Sequence, residues 1–122
     1  MTKRDEGASG RWDLEERTGV FGESIIAFAK RLPVTEVTRS LISQVVRAGT
    51  SIGANYCEAN DSESKKDFRH KIGICRKESK ETKHWLRMIA AAAPELRKDA
   101  RALYQEAKEL NLIFGKIRRG TD

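Results

Sequence analysis

Four stretches of this chain place their apolar residues alternately three and four positions apart, and that spacing limits its possible folds more than anything else in it. The first carries Leu14, Thr18, Phe21, Ile25, Phe28 and Leu32. An α-helix brings such residues to one side, whereas a half-buried strand would need them at every second position. Pro33 ends the stretch, because a proline ring clashes with the preceding residue when that residue is helical. Thr35, followed by Glu36 and Thr38, then supplies an N-cap and an acidic first turn for a second helix. Its apolar side is Leu41, Val45, Ala48, Ile52, Tyr56 and Ala59.

Asn60, Asp61, Ser62 and Ser64 interrupt the pattern, which resumes with Phe68, Ile72, Cys75, Ser79, Thr82, Leu86, Ile89 and Ala93. Pro94 fits the first turn of a fourth helix, where a missing N–H costs nothing. Leu96, Ala100, Leu103, Ala107, Leu110, Phe114 and Ile117 follow, and Gly120 closes the helix. The spacing therefore predicts helices over 14–32, 36–59, 64–93 and 95–118. No turn cluster of the kind that separates strands lies between the two prolines. Four amphipathic helices with short connections bury their stripes by packing antiparallel, so the expected fold is all-α, an up-and-down four-helix bundle over 13–119. With 122 residues there is room for one core.

Residues 1–12 mix charges with Gly and Ser and read as a loose tail without the apolar core of a signal peptide. The longest apolar run, 88–93, is far below the roughly 20 residues that span a bilayer. A cytoplasmic protein without membrane contact is expected, with Cys57 and Cys75 as reduced, half-buried thiols.

The third helix carries more than a core stripe. Ile74, Trp85, Met88 and Ala92, with Glu78 and Glu81 in the gaps, form a second ladder roughly 120° from the first. This ladder is read as an oligomer interface, with a widened core face as the alternative. Gln44, Arg47, Ser51, Asn55 and Glu58 form a polar side on the second helix, and Arg47 is the natural partner for Glu78 or Glu81. The interface set is thus Arg47, Ile74, Glu78, Glu81, Trp85 and Met88.

Charge is distributed unevenly as well. Between Ser64 and Ala93 stand Lys65, Lys66, Arg69, Lys71, Arg76, Lys77, Lys80, Lys83 and Arg87 against Asp67, Glu78 and Glu81, an excess equal to the whole chain's net +6. All of these bases except Lys71 fall within about 120° of arc, away from the second ladder. Lys66, Arg69, Arg76, Lys77, Lys80, Lys83 and Arg87 are the candidate nucleic-acid contacts, since phosphate backbones reward clustered cations by counterion release. No aromatic residue is interleaved with them on that helix, as a stacking platform would require.

Catalysis would need a nucleophile with its base, paired carboxylates, a metal cluster or a phosphate-cradling loop, and none is recognisable. His70 and His84 stand about 21 Å apart along one helix, too far to share a metal. Glu81 and His84 make a single Glu-x-x-His motif, whereas di-iron bundles need one on each of two helices. The expectation is a non-enzymatic protein with no cofactor and no metal.

Ser40 to Asn60, SLISQVVRAGTSIGANYCEAN, resembles the most recognisable stretch of the bacterial four-helix-bundle proteins first described as encoded within intervening sequences of 23S ribosomal RNA genes. The matching residues are Ser43, Gln44, Arg47, Ala48, Ser51, Ile52, Asn55, Glu58 and Ala59, and the likeness continues through Asp67, Phe68, Glu78, Glu81 and Leu86. Gly53 and Asn60 stand where that family usually has Pro and Gly. The resemblance implies a protomer that assembles into a homopentamer, a link to RNA or DNA, and a distant likeness to the accessory subunit of reverse transcriptases in diversity-generating retroelements. Two functions are therefore expected: an oligomer that binds RNA or DNA through the basic face, or a protein-interaction scaffold that holds a partner enzyme without touching nucleic acid.

Overall fold

The first helix, α1 (Gly10–Ala29), starts and stops earlier than its apolar stripe. Its last turn tightens: Arg31 and Leu32 donate their N–H groups to carbonyls three residues back, at 3.0 and 3.2 Å. This contraction ends the helix before Pro33, yet leaves Leu32 buried at the end of the stripe. The structure is a computed structural model that describes residues 10–121, with side chains from Leu14. Of the tail expected over 1–12, residues 1–9 lie outside the described residues, and Gly10 already opens α1.

Helix α2 (Glu36–Asn60) begins at a reciprocal cap. The Thr38 N–H donates to Thr35 Oγ1 at 3.1 Å, and the Thr35 N–H donates to Thr38 Oγ1 at 2.8 Å. Two donors that the helix cannot satisfy internally are thereby paired. Helix α3 (Lys65–Ala92) is capped by Ser64, whose hydroxyl accepts from the Asp67 N–H at 3.0 Å. Pro94 does not enter the fourth helix. It opens a single 3-10 turn, Pro94–Leu96, and α4 runs from Arg97 to Arg119.

Each helix packs chiefly on its neighbours in sequence, α1 on α2, α2 on α3 and α3 on α4, while α1 meets α4 more lightly. The predicted antiparallel four-helix bundle is thus the observed fold. Ile25, Val45, Ile52, Ile72, Ile89, Leu110 and Phe114 have lost all solvent contact. Burial of each such side chain contributes roughly 1.5–3 kcal/mol. The hydroxyls within the stripes do not break this core. Thr18, Ser79 and Thr82 each return a hydrogen bond to a carbonyl three or four residues back, at 3.1, 2.9 and 2.7 Å.

Gly49 sets the approach of α1 to α2, because a Cβ there would lie 2.9 Å from Ile25 Cγ1. Charges close the lighter α1–α4 seam. Arg17 Nε and Nη2 reach Glu106 at 2.7 and 2.9 Å, and Nη2 also meets Glu109 at 2.9 Å. The hydrogen bond to Glu106 leads in holding the Arg17 pKa well above its ordinary value. Arg31 pairs with Asp99 at 2.9 Å further along the same seam.

Candidate nucleic-acid interface

Three sides of α3 have separate roles because the residue spacing turns each in a different direction. Ile72, Cys75, Ser79, Thr82, Leu86 and Ile89 point into the bundle and are buried. The Cys75 Sγ–H donates to the Ile52 carbonyl at 3.5 Å, and burial pushes this thiol's pKa up to about 12.

The second ladder faces the groove against α2. Arg47 Nη1 donates to Glu78 at 3.2 Å, and its Nη2 donates to Glu81. Trp85 Nε1 donates to the same Glu81 oxygen at 3.2 Å. Arg47, Glu78 and Glu81, named from sequence as interface residues, are therefore joined within one chain. Glu78 is buried despite its charge, at 7% exposure. The Trp85 ring packs against the core, while Ile74 and Met88 stay half-buried. About two turns before this cluster, Lys71 donates to Glu58 at 2.6 Å, and that hydrogen bond raises the lysine's pKa. Glu81 is committed to Arg47 and Trp85, and the His84 ring stands edge-on to Trp85 at 4.9 Å. Among the described residues no group of three His, Cys, Asp or Glu side chains is arranged to hold a metal ion.

The third side carries the positive charge. Lys66, Arg69, Arg76, Lys77, Lys80 and Arg87 are exposed, and Lys83 is half-buried. Among the described residues no carboxylate pairs with Lys66, Arg76, Lys77, Lys80, Lys83 or Arg87. Those seven residues lie on one helix side, as their spacing requires.

Helix α4 contributes a second basic edge that the net charge conceals. Arg97, Arg101, Lys108 and Arg119 are exposed and lie within about 40° of arc on α4. Its carboxylates Asp99, Glu106 and Glu109 turn the other way and are engaged by Arg31 and Arg17. The two helices meet through Asn111, whose Nδ2 donates to the Arg76 carbonyl at 2.8 Å and to Ser79 Oγ at 3.2 Å.

Two glycines let arginines lie across this contact. A Cβ on Gly73 of α3 would stand 3.1 Å from Arg118 Nε, and one on Gly115 of α4 would stand 3.3 Å from Arg119 Nη1 and 3.5 Å from Arg76 Nε. The Arg118 Nε is buried without a hydrogen-bond partner among the described residues. An aromatic residue also joins the bases, contrary to the reading of α3 alone. Tyr104 of α4 brings its ring to 5.9 Å from the Lys83 ammonium. Beside it, Leu86, Ala90 and Ala100 form the floor of a cavity of about 490 Å³ that is also lined by the exposed Ala91, Arg87, Arg97 and Arg101. The periodic placement of bases on the fourth helix was readable from sequence, whereas the meeting of Tyr104 with Lys83 depends on how two helices register.

Among the described residues no helix is long and apolar enough to cross a membrane. Comparison with curated proteins yields no match. Among solved structures, the chain is similar to a protein of unknown function from the S23 ribosomal protein family of Bacteroides thetaiotaomicron, determined at 1.70 Å. The two share 27% identity over 85% of this chain and 96% of the other, with a TM-score of 0.74. The family description "23S rRNA-intervening sequence protein" matches residues 14–116, which takes in all four helices, the Arg47 cluster and the basic side of α3. On that match, the chain belongs to the 23S rRNA-intervening sequence protein family.

Proposed function

We propose that this protein is a non-enzymatic, homo-oligomeric binding module of the cytoplasm that holds nucleic acid through the basic side of α3. One observation carries the reading. The carboxylates Glu58, Glu78, Glu81, Asp99, Glu106 and Glu109 are taken up by Lys71, Arg47, Arg31 and Arg17, so among the described residues Lys66, Arg76, Lys77, Lys80, Lys83 and Arg87 of the ridge keep their charge for an external anion. Phosphates are the anion such a surface suits, because each neutralised phosphate releases condensed counterions. A homopentamer would repeat the ridge once per subunit, and weak contacts would then add by avidity. Ile74, Trp85 and Met88, beside the Arg47 cluster, are the residues through which protomers would meet.

The test reverses Arg76, Lys80 and Arg87 to Glu, all three being exposed and outside the core. Binding of RNA and DNA of unrelated sequence should weaken by similar factors, and wild-type affinity should fall steeply with salt, since phosphate contacts carry no base information. If neither nucleic acid binds wild type at low salt, or the reversal changes nothing, the ridge is solvated surface and a protein-binding scaffold replaces this reading. Light scattering after size exclusion measures the assembly, and a wild-type monomer at micromolar concentration would remove the oligomer from it.

A further inference from the structure

A duplex presents a convex row of phosphates, for which a flat ridge of cations suffices. The cavity between the end of α3 and the start of α4 has features such a ridge does not need. It is concave, its volume is about 490 Å³, and alanines with Leu86 make its floor apolar. Tyr104 lines it, and Arg87, Arg97 and Arg101 stand at its rim. All three arginines are exposed, and among the described residues none is paired with a carboxylate. An apolar floor with one aromatic wall suits a planar, weakly polar body, while guanidinium forks at the mouth suit phosphate oxygens. An unstacked nucleotide combines both chemistries. An acidic peptide would supply charge for the rim but leave the floor and the ring without a partner.

We infer that this cavity receives an unpaired base of single-stranded nucleic acid, with the flanking phosphates on Arg87, Arg97 and Arg101. The inference rests on the nucleic-acid reading of the α3 ridge and deepens it by naming the strand form. The base lies against Tyr104 and the alanine floor. The strand continues along the α3–α4 groove, where Lys80, Lys83 and Lys108 offer further cations. Recognition of this kind is tolerant of sequence, since every base has an apolar face.

Fluorescence anisotropy with labelled oligothymidylate and oligouridylate, against a duplex of similar length, tests the assignment on the full chain. Two variants disable the cavity by opposite means. Tyr104→Ala removes the ring, and Ala91→Leu narrows the cavity from an exposed lining position without changing charge. Each should weaken single-strand binding about ten-fold or more, the effect of losing one stacked base, and leave duplex binding within about two-fold. Circular dichroism establishes that each variant is folded, and Tyr104→Phe should retain single-strand binding. Equal loss for both strand forms, or no loss in either folded variant, overturns the cavity assignment while the ridge stands. Wild type that prefers duplex overturns it as well. Wild type that binds neither form at low salt removes the ridge reading too, and polyglutamate that displaces the oligonucleotide at matched charge identifies an acidic protein partner instead.

Discussion

Arg47 is the residue whose removal best separates a structural role from an interface role. It stands between Glu78, whose side chain is 10% exposed, and Glu81, at 33%. Removing one partner of a fully buried ion pair costs about 3–5 kcal/mol, and removing one from an exposed pair costs at most about 1 kcal/mol. The Arg47 side chain is 48% exposed, so this pair falls between those limits. Arg47→Ala should therefore lower stability by about 2 kcal/mol, most of it from the Glu78 carboxylate left buried without a cation. Glu78→Gln in the Arg47→Ala background should recover about 1 kcal/mol of that, because the amide carries no charge to strand. Urea denaturation of the single and double variants, with unchanged dependence on denaturant, gives the coupling energy. A coupling within about 0.3 kcal/mol of zero would refute the intrachain pairing. So would a coupling that grows with protein concentration, since it would mean that Arg47 reaches a neighbouring subunit.

The close passage of α1 over α2 predicts that Gly49→Val will cost about 2 kcal/mol or more, read as a lowered thermal midpoint, because the new side chain meets Ile25 in a packed core. Gly49 lies inside a helix, so a gain in midpoint would show that helix propensity outweighs the clash. The two thiols should separate by reactivity. Cys57 is exposed and should react with a disulfide reagent at once, whereas Cys75 should react only on unfolding. Cys75 also carries a pH signature, since its folded pKa of about 12 lies above the unfolded value of about 8.5. Its contribution to stability is complete below about 8.5 and is lost as pH rises toward 12, by about 1.4 kcal/mol per pH unit across that interval. Cys75→Val should flatten the alkaline limb of the stability curve, and an unchanged limb would contradict the shift.

Much of the fold was legible because each helix carries its own period. The stripe of α1 from Leu14 to Leu32 is buried as its spacing requires, and the paired threonines before α2 do cap it. Helix ends were less legible. Periodicity reports which residues are buried, and Leu32 is buried although the helix stops at Ala29. Pro94 is compatible with a first helical turn or with a 3-10 turn, and the residue itself does not distinguish them. The partner of Arg47 could be anticipated from a polar stripe opposite two glutamates. The basic edge of α4 escaped notice because its bases, which outnumber Asp99, Glu106 and Glu109, are offset by acids elsewhere when all residues outside the third helix are summed together. A sum over the rest of the chain hides that excess, whereas a count over 97–119 and the angular positions of Arg97, Arg101, Lys108 and Arg119 reveal it.

The seam between α1 and α4 has a consequence for how the molecule opens. Every other helix contact is made by neighbours in sequence, but α1 and α4 come from opposite ends of the chain and touch lightly. Arg17 with Glu106 and Glu109, and Arg31 with Asp99, hold that seam at the surface. Such charges are screened by salt, while the apolar contacts of α2, α3 and α4 are not. Helix α1 is therefore expected to open ahead of the three remaining helices, which stay docked on one another. Its amides should exchange with solvent ahead of those in α3, and faster as ionic strength rises. The same hinge, between Lys30 and Thr35, is where two protomers at high concentration would trade first helices, so that an exchanged dimer could form without any new interface chemistry.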